Sequence, residues 1–121
     1  MSETIETLLR RNLFEVFGER DNAKRKDALA EIWHAEAILV NPDGRHVGRV
    51  EISHTIEKLL AKFPAFVFTE RVAPEGFHGV GRIGWGFGPP GSQSVVTGID
   101  VGEATAGKLR LLFAFIDPDS K

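Results

Sequence analysis

The stretch that decides the fold is residues 95–118, VVTGIDVGEATAGKLRLLFAFIDP. β-Branched and apolar residues dominate it, which predicts two strands, at residues 94–103 and 108–117. Ala106-Gly107 supplies the turn chemistry between them. Two strands joined by so short a connection pair antiparallel. The stretch therefore predicts a β-hairpin.

Three helices are predicted on the N-terminal side of this hairpin. Apolar residues recur three and four positions apart over residues 5–17, 28–33 and 50–63. Ser2 or Thr4 can cap the first helix, Gly18 can end it, and Pro64 stops the third. The polar segment 19–26 is predicted to be a solvated loop.

The hydrophobic period changes from 3.6 to 2 after the third helix, which predicts further strands at 66–72 and 78–87. Turns are predicted at 74–76 and 88–91. A β-prone segment at 37–40 ends in the turn Asn-Pro-Asp-Gly at 41–44. Helices first and strands second predict one α+β domain over residues 1–121, with the helices on one face of the sheet.

Composition excludes several classes of protein. The chain has 121 residues, no Cys, no Tyr and a formal net charge of −2. The absence of Cys rules out disulfides and thiol nucleophiles, and favours a cytoplasmic location. The charge argues against a nucleic-acid partner. No apolar run is long enough for a membrane span, and the N-terminal residues do not form a signal peptide.

The last predicted strand is apolar on both faces. Leu112, Ala114 and Ile116 point to one face, and Leu111, Phe113 and Phe115 to the other. The three helices can cover only one face, so a homodimer through the sheet is predicted. The alternative cover is the chain's own loops, which are short.

Several motifs together resemble the nuclear transport factor 2-like superfamily, most closely its SnoaL-like and ketosteroid-isomerase-like branch. They are WHAEAILVNPDG at 33–44, GRVEIS at 48–53, Gly98-Ile99-Asp100, Gly107-Lys108-Leu109 and Phe115-Ile116-Asp117. The resemblance implies three N-terminal helices packed on a strongly curved, mainly antiparallel sheet. It further implies a cystatin-like cone with an internal pocket, and members that often dimerise through the sheet.

Asp100 is the leading candidate for a catalytic residue. Aspartate is depleted inside strands, and Gly98 and Gly102 flank this one on the same face, leaving space as a ligand site would. The resemblance implies a carboxyl group that stays protonated in an apolar pocket and donates a hydrogen bond to an oxyanion. The alternatives are a solvated Asp, or one that fixes a buried Arg.

The rest of the isomerase set is missing. The resemblance implies a Tyr donor on the first helix, but that position falls near Leu13 or Phe14. It implies a proton-shuttling Asp at the end of the first strand, where the chain has Asn41. An amide cannot take a proton at neutral pH, so ketosteroid isomerisation is not expected. Asp43 is interpreted as a turn residue.

The register of the preceding hairpin leaves two alternatives. In one, Arg82 shares a face with Asp100 and forms an ion pair or a carboxylate site. In the other, Ile83 and Trp85 lie beside Asp100 and line the pocket. A raised pKa at Asp100 would indicate the second.

The remaining motifs carry little chemistry. His78 is a weaker acid–base candidate at the predicted pocket rim, and His34, His46 and His54 are interpreted as structural or exposed. No metal spacing occurs among the histidines. The GxGxxG match at 79–84 is not a dinucleotide site, because no helix can follow it. No cofactor is implied.

The sequence therefore predicts a small-molecule-pocket protein of the SnoaL-like type, with two alternatives for its function. In the first, it is an acid–base isomerase, cyclase or dehydratase that acts on an apolar carbonyl-containing ligand. In the second, it is a non-catalytic homodimeric ligand-binding or protein-interaction module. Asp100 is the predicted catalytic residue, with His78 and Arg82 as weaker candidates. The predicted pocket residues are Phe14, Trp33, Asn41, Ile83, Trp85, Leu112, Ala114 and Ile116.

Overall fold

The computed structural model describes residues 4–118 and has the predicted α+β architecture. The helices are α1 (Ile5–Arg11), which continues into a π-helical segment (Asn12–Phe17), α2 (Asn22–Ile32) and α3 (Arg49–Lys62). The strands are β1 (Trp33–Asn41), β2 (Gly44–Val47), β3 (Val67–Phe77), β4 (Val80–Gly88), β5 (Val96–Thr105) and β6 (Lys108–Ile116).

The six strands form one mixed sheet in the order β2-β1-β6-β5-β4-β3. Every pair is antiparallel except β1 and β6, which run parallel. Helix α1 packs against β3, β4 and β5, and its apolar residues Ile5, Leu8 and Leu9 are buried there. The predicted fold class, helices on one face of a mainly antiparallel sheet, is confirmed.

Helix α2 corrects the prediction of a solvated loop over residues 19–26. Asp21 caps the helix by accepting hydrogen bonds from the backbone N–H groups of Ala23 and Lys24, at 2.9 and 3.1 Å. Arg25 is buried, at 1% exposure, and donates to the Glu19 carbonyl and the Ser53 hydroxyl. The prediction failed because this helix buries a charged side chain where periodicity looks for an apolar one.

The boundary between α2 and β1 also differs from the prediction. The helix ends at Ile32, and Trp33 begins a strand four residues earlier than expected. His34 therefore lies in β1, where its Nε2 is 2.7 Å from the Thr105 carbonyl oxygen, and not at a helix end. Helix α1 starts as predicted, since Thr4 caps it; Ser2 lies outside the described residues.

The turn between β3 and β4 lies at His78-Gly79, and not at residues 74–76. Both turn residues have positive φ, +50° and +79°, as a two-residue hairpin turn requires. β3 is an edge strand, and its register shifts between Val72 and Glu75, which accommodates Pro74 within the strand. His78 is thus a turn residue instead of the start of a strand.

Trp33 lies in the core between the helices and the sheet. Its indole Nε1 donates a 2.7 Å hydrogen bond to Asn12 Oδ1, and both residues are inaccessible to solvent. The Asn12 amide nitrogen, Nδ2, has no hydrogen-bond partner among residues 4–118. Within the described residues, the Trp33 indole is therefore the only hydrogen-bond partner of the buried Asn12 side chain.

Replacing Trp33 by Phe should lower the free energy of unfolding by about 1–3 kcal/mol, because it leaves the buried Asn12 oxygen unpaired. Urea denaturation of both proteins measures the difference. The double variant Asn12→Leu/Trp33→Phe should recover much of the loss, since removing both partners is far less costly than removing one. A double variant no more stable than Trp33→Phe would contradict this account.

The face of the sheet away from the helices carries an apolar patch. Ile99 pairs with Phe115 and Val101 pairs with Phe113, so these four side chains form one patch on β5 and β6. Phe113 is 37% exposed and Phe115 is 58% exposed. No loop within residues 4–118 buries this patch.

Candidate functional site

A cavity of about 890 Å³ lies between the sheet's helix-covered face, the π-helical segment, the β1–β2 hairpin and α3, within the range of small-molecule sites. Its apolar lining includes Leu13, Phe17, Ile56, Leu59, Phe68 and Ile116. Its polar lining, apart from Asp100, is Asn41, Asp43, His46, Thr55, Lys58 and Lys62.

Asp100 is a buried wall residue of this cavity, at 4% exposure. Ile83 lies directly opposite it across the β4–β5 pair, and Trp85 opposite Gly98, so all four share one face. The Trp85 indole Nε1 donates a 2.9 Å hydrogen bond to Asp100 Oδ1. Among the described residues nothing donates to the second oxygen, Oδ2.

Arg82 points to the other face of the sheet. It pairs with Val101 in the register, and its guanidinium lies 3.0 Å from Glu75 Oε1 in an exposed ion pair. The structure therefore has the second of the two registers considered from the sequence, and Arg82 does not neutralise Asp100.

The two glycines beside Asp100 make room for protein side chains and not for a ligand. A Cβ at Gly98 would clash with Cζ2 of Trp85 and with the Phe115 carbonyl oxygen, and one at Gly102 would lie 3.0 Å from both Leu9 and Leu112. The absence of a side chain at Gly98 lets the indole lie across β5, which brings its N–H to the carboxyl group. This corrects the interpretation of the glycines as empty space.

Burial raises the pKa of Asp100 from 3.8 to about 7, against the opposing effect of the Trp85 hydrogen bond. Removing a carboxylate from water disfavours its charged form, whereas a donated hydrogen bond favours it. The carboxyl group is therefore protonated in a large fraction of molecules near neutral pH. In that form it carries an O–H that can donate to a ligand.

Four of the eight predicted pocket residues line the cavity and four do not. Asn41, Trp85, Ala114 and Ile116 line it. Phe14, Trp33, Ile83 and Leu112 do not. Phe14 points to solvent because it lies on the outer side of the π-helical segment, and the other three are buried in the core.

The remaining histidines change places relative to the prediction. His78 is an exposed turn residue away from the cavity, so it is not brought to Asp100. His46, interpreted as exposed, lines the cavity and is hydrogen-bonded there. Its signal was the turn at 41–44: a two-residue hairpin loop pairs Leu39 with His46, which puts both on the buried face.

Within residues 4–118 no three His, Asp or Glu side chains gather closely enough to hold a metal ion. No helix in that part of the chain is long and apolar enough to span a membrane. The GxGxxG match lies within the turn and strand β4 and opens no helix, which agrees with its rejection as a dinucleotide site.

Solved structures resemble the chain over almost its whole length. A candidate isomerase of the SnoaL-like family from Agrobacterium tumefaciens has a TM-score of 0.85 and 26% identity, covering 92% of this chain and 95% of its own. A candidate SnoaL-like polyketide cyclase from Jannaschia has a TM-score of 0.76 and 12% identity, with 93% and 85% covered. A candidate ketosteroid isomerase from Kribbella flavida has a TM-score of 0.70 and 13% identity, with 99% and 82% covered.

The fold of the chain is that of proteins described as SnoaL-like, nuclear transport factor 2-like and ketosteroid-isomerase proteins. Its structural neighbours support the SnoaL-like and ketosteroid-isomerase-like branch, so the resemblance stated from the sequence is confirmed. Other neighbours are described as having a cystatin or cystatin-like fold, as the prediction had it. No family model and no curated protein matches the sequence.

Asp100 should make the protein less stable as the pH rises from about 4 to about 7. The folded state holds the proton up to a pKa of about 7, whereas the unfolded chain releases it near 3.8, so between these values folding binds a proton. The loss levels off above pH 7 and is at most roughly 4 kcal/mol.

The variant Asp100→Asn removes this titration and should gain stability relative to the wild type across that pH window. Its amide oxygen can still accept from Trp85, so the fold is retained. Urea denaturation at several pH values measures the difference, with the exposed Asp27→Asn as the matched control. A constant difference between Asp100→Asn and wild type from pH 4 to 8 would refute the raised pKa.

Proposed function

We propose that the protein binds an apolar, carbonyl-containing small molecule in this cavity and performs cofactor-independent acid–base chemistry on it, of the isomerase, cyclase or dehydratase kind. The observation that carries the proposal is the buried Asp100 carboxyl group. It is held at one oxygen by Trp85 and raised in pKa to about 7, and it lines a cavity with an otherwise largely apolar wall.

A neutral carboxyl group in an apolar wall suits a ligand carbonyl. The fixed indole N–H occupies Oδ1, so the proton on Oδ2 is available to a ligand. As negative charge develops on a carbonyl oxygen, a donor already aimed at it needs no reorganisation. Asp100 thus donates a hydrogen bond to the carbonyl oxygen of the ligand.

A non-catalytic ligand-binding module is the second candidate. It is favoured by Leu13 in the cavity wall near the position where the resemblance implies a Tyr donor, and by Asn41 where it implies the base. Against it stands a second group in the wall that can exchange protons, His46. Asp100 and His46 both line the cavity, and two acid–base groups in one cavity support an enzyme.

Binding of 2-tetralone, an apolar bicyclic ketone, tests the proposal against tetralin, which lacks the carbonyl. The ketone should bind at least about tenfold more tightly below pH 7, the value of one good hydrogen bond. The preference should weaken above pH 7 and disappear in Asp100→Leu. The Trp85 indole N–H resonance reports binding by NMR.

The same samples separate the two candidate functions. Exchange of the α-hydrogens of 2-tetralone for deuterium, faster than in buffer, supports an enzyme. Binding without exchange supports the ligand-binding module. Equal affinity for the ketone and the hydrocarbon would contradict any role of Asp100 in recognising a carbonyl.

A homodimer through the sheet is the second part of the proposal. Phe113 and Phe115 lie with Ile99 and Val101 on the sheet face that no helix within residues 4–118 covers. Exposed apolar patches of this kind mark interfaces. A second copy of the chain presents the same patch, as a two-fold interface requires.

Light scattering at micromolar concentration should give twice the chain mass of 13.3 kDa. The variant Phe115→Glu should give the single-chain mass, because it would place two carboxylates in a closed apolar interface. Val50→Glu serves as the control, since Val50 is exposed on α3. A monomeric wild type would contradict the dimer and leave the cavity proposal untouched.

A further inference from the structure

His46 is held in the cavity wall by hydrogen bonds on both ring nitrogens. Asn41 Oδ1 accepts from the backbone N–H groups of Asp43 and Gly44, at 3.0 and 3.2 Å, which identifies that atom as the amide oxygen. The same oxygen lies 3.2 Å from His46 Nε2. Because the oxygen only accepts, Nε2 must carry the proton.

The other ring nitrogen, Nδ1, is therefore the basic atom of the neutral ring. It lies 3.2 Å from the Thr55 hydroxyl, which must donate to it. Thr55 lines the cavity, as His46 does. Asn41 thus fixes the tautomer, and the Thr55 hydroxyl is bonded to the basic nitrogen.

The arrangement has the parts of an activated base: a hydroxyl, an imidazole that can take its proton, and a third group that orients the imidazole. The other charged groups that line the cavity are Asp43, Lys58, Lys62 and Asp100. The two lysines have no ion pair or hydrogen bond within the described residues. Lys58 and Lys62 are therefore the alternative groups that could stabilise a negatively charged ligand in place of His46.

We infer that Asn41, His46 and Thr55 form a proton-accepting site that deprotonates a phenolic or enolic hydroxyl of the bound ligand. The ligand O–H bond breaks as an O–H bond forms on Thr55 Oγ1, and the Thr55 proton passes to His46 Nδ1. The electron pair stays on the ligand oxygen, and the imidazolium keeps its bond to Asn41. The inference rests on the proposed function and assigns the ligand class as one with a carbonyl at Asp100 and an acidic hydroxyl at Thr55.

Umbelliferone, a rigid hydroxycoumarin with a carbonyl at one end and a phenol at the other, tests this inference. Its fluorescence excitation separates phenol from phenolate, and its anisotropy reports binding independently. At a pH where the free dye is almost entirely phenol, the wild type should bind a large phenolate fraction. His46→Gln should lower the phenolate-to-phenol ratio of the bound dye by at least about tenfold, the equivalent of one pKa unit.

Three further variants sharpen the test. Thr55→Val, which keeps the side-chain shape without the hydroxyl, should lose the phenolate as His46→Gln does, and Thr55→Ser should restore it. His54→Gln is the matched control, because His54 is exposed on the same helix α3 and does not line the cavity. Nitrogen-15 NMR of the wild-type imidazole should show the Nε2–H tautomer in the absence of dye.

The outcomes distinguish the two levels of proposal. If umbelliferone binds but His46→Gln retains the phenolate, the lysines or another group hold the charge, and the inference is overturned while ligand binding stands. An Nδ1–H tautomer in the free protein also overturns it. If the dye binds neither the wild type nor any variant, the proposed function is contradicted and the inference with it.

Discussion

The hydrogen bond between the Trp85 indole and the Asp100 carboxyl group is the interaction around which the site is organised. It exists because β4 and β5 pair in one register and because Gly98 has no side chain to obstruct the indole. A single donor is too little to keep a buried carboxylate charged, so the group retains its proton to about pH 7. The chemistry of the cavity thus depends on a strand register and a missing methyl group.

The presence of four strands in the C-terminal half could be predicted from the sequence, because most of their length alternates or is apolar. The end of β3 could not, since the turn predicted at 74–76 lies at His78-Gly79. The segment at residues 22–32 could not, because its buried face includes Arg25, whose charge is satisfied by a backbone carbonyl and a hydroxyl that no periodicity reveals. The prediction of where Trp33 lies was wrong for a related reason. Its partner, Asn12, is polar, and the pair becomes evident only when the helix and the strand are in contact.

The candidate site divides in the same way. Asp100 could be singled out because an aspartate inside a strand needs an explanation. The sequence could not show whether Arg82 or Trp85 shares a sheet face with Asp100. A shift of one residue in the register of β4 and β5 exchanges the two. His46 was missed because β2 has only four residues, too few for an alternation to be recognised. Its place follows from the hairpin turn, a geometric constraint and not a compositional one.

The parallel pairing of β1 with β6 has a consequence for how the molecule assembles. β6 lies near the middle of the sheet and joins the β1–β2 hairpin to the β3–β4–β5 meander. Until it is present, the hairpin has no neighbour across β1 and the two parts of the sheet are separate. Pairings so distant along the chain form slowly, because a long loop must close before any contact compensates for it. On a ribosome, therefore, the helices and the first five strands emerge before the sheet can close, and the cavity forms only when β6 brings Ala114 and Ile116 to its wall.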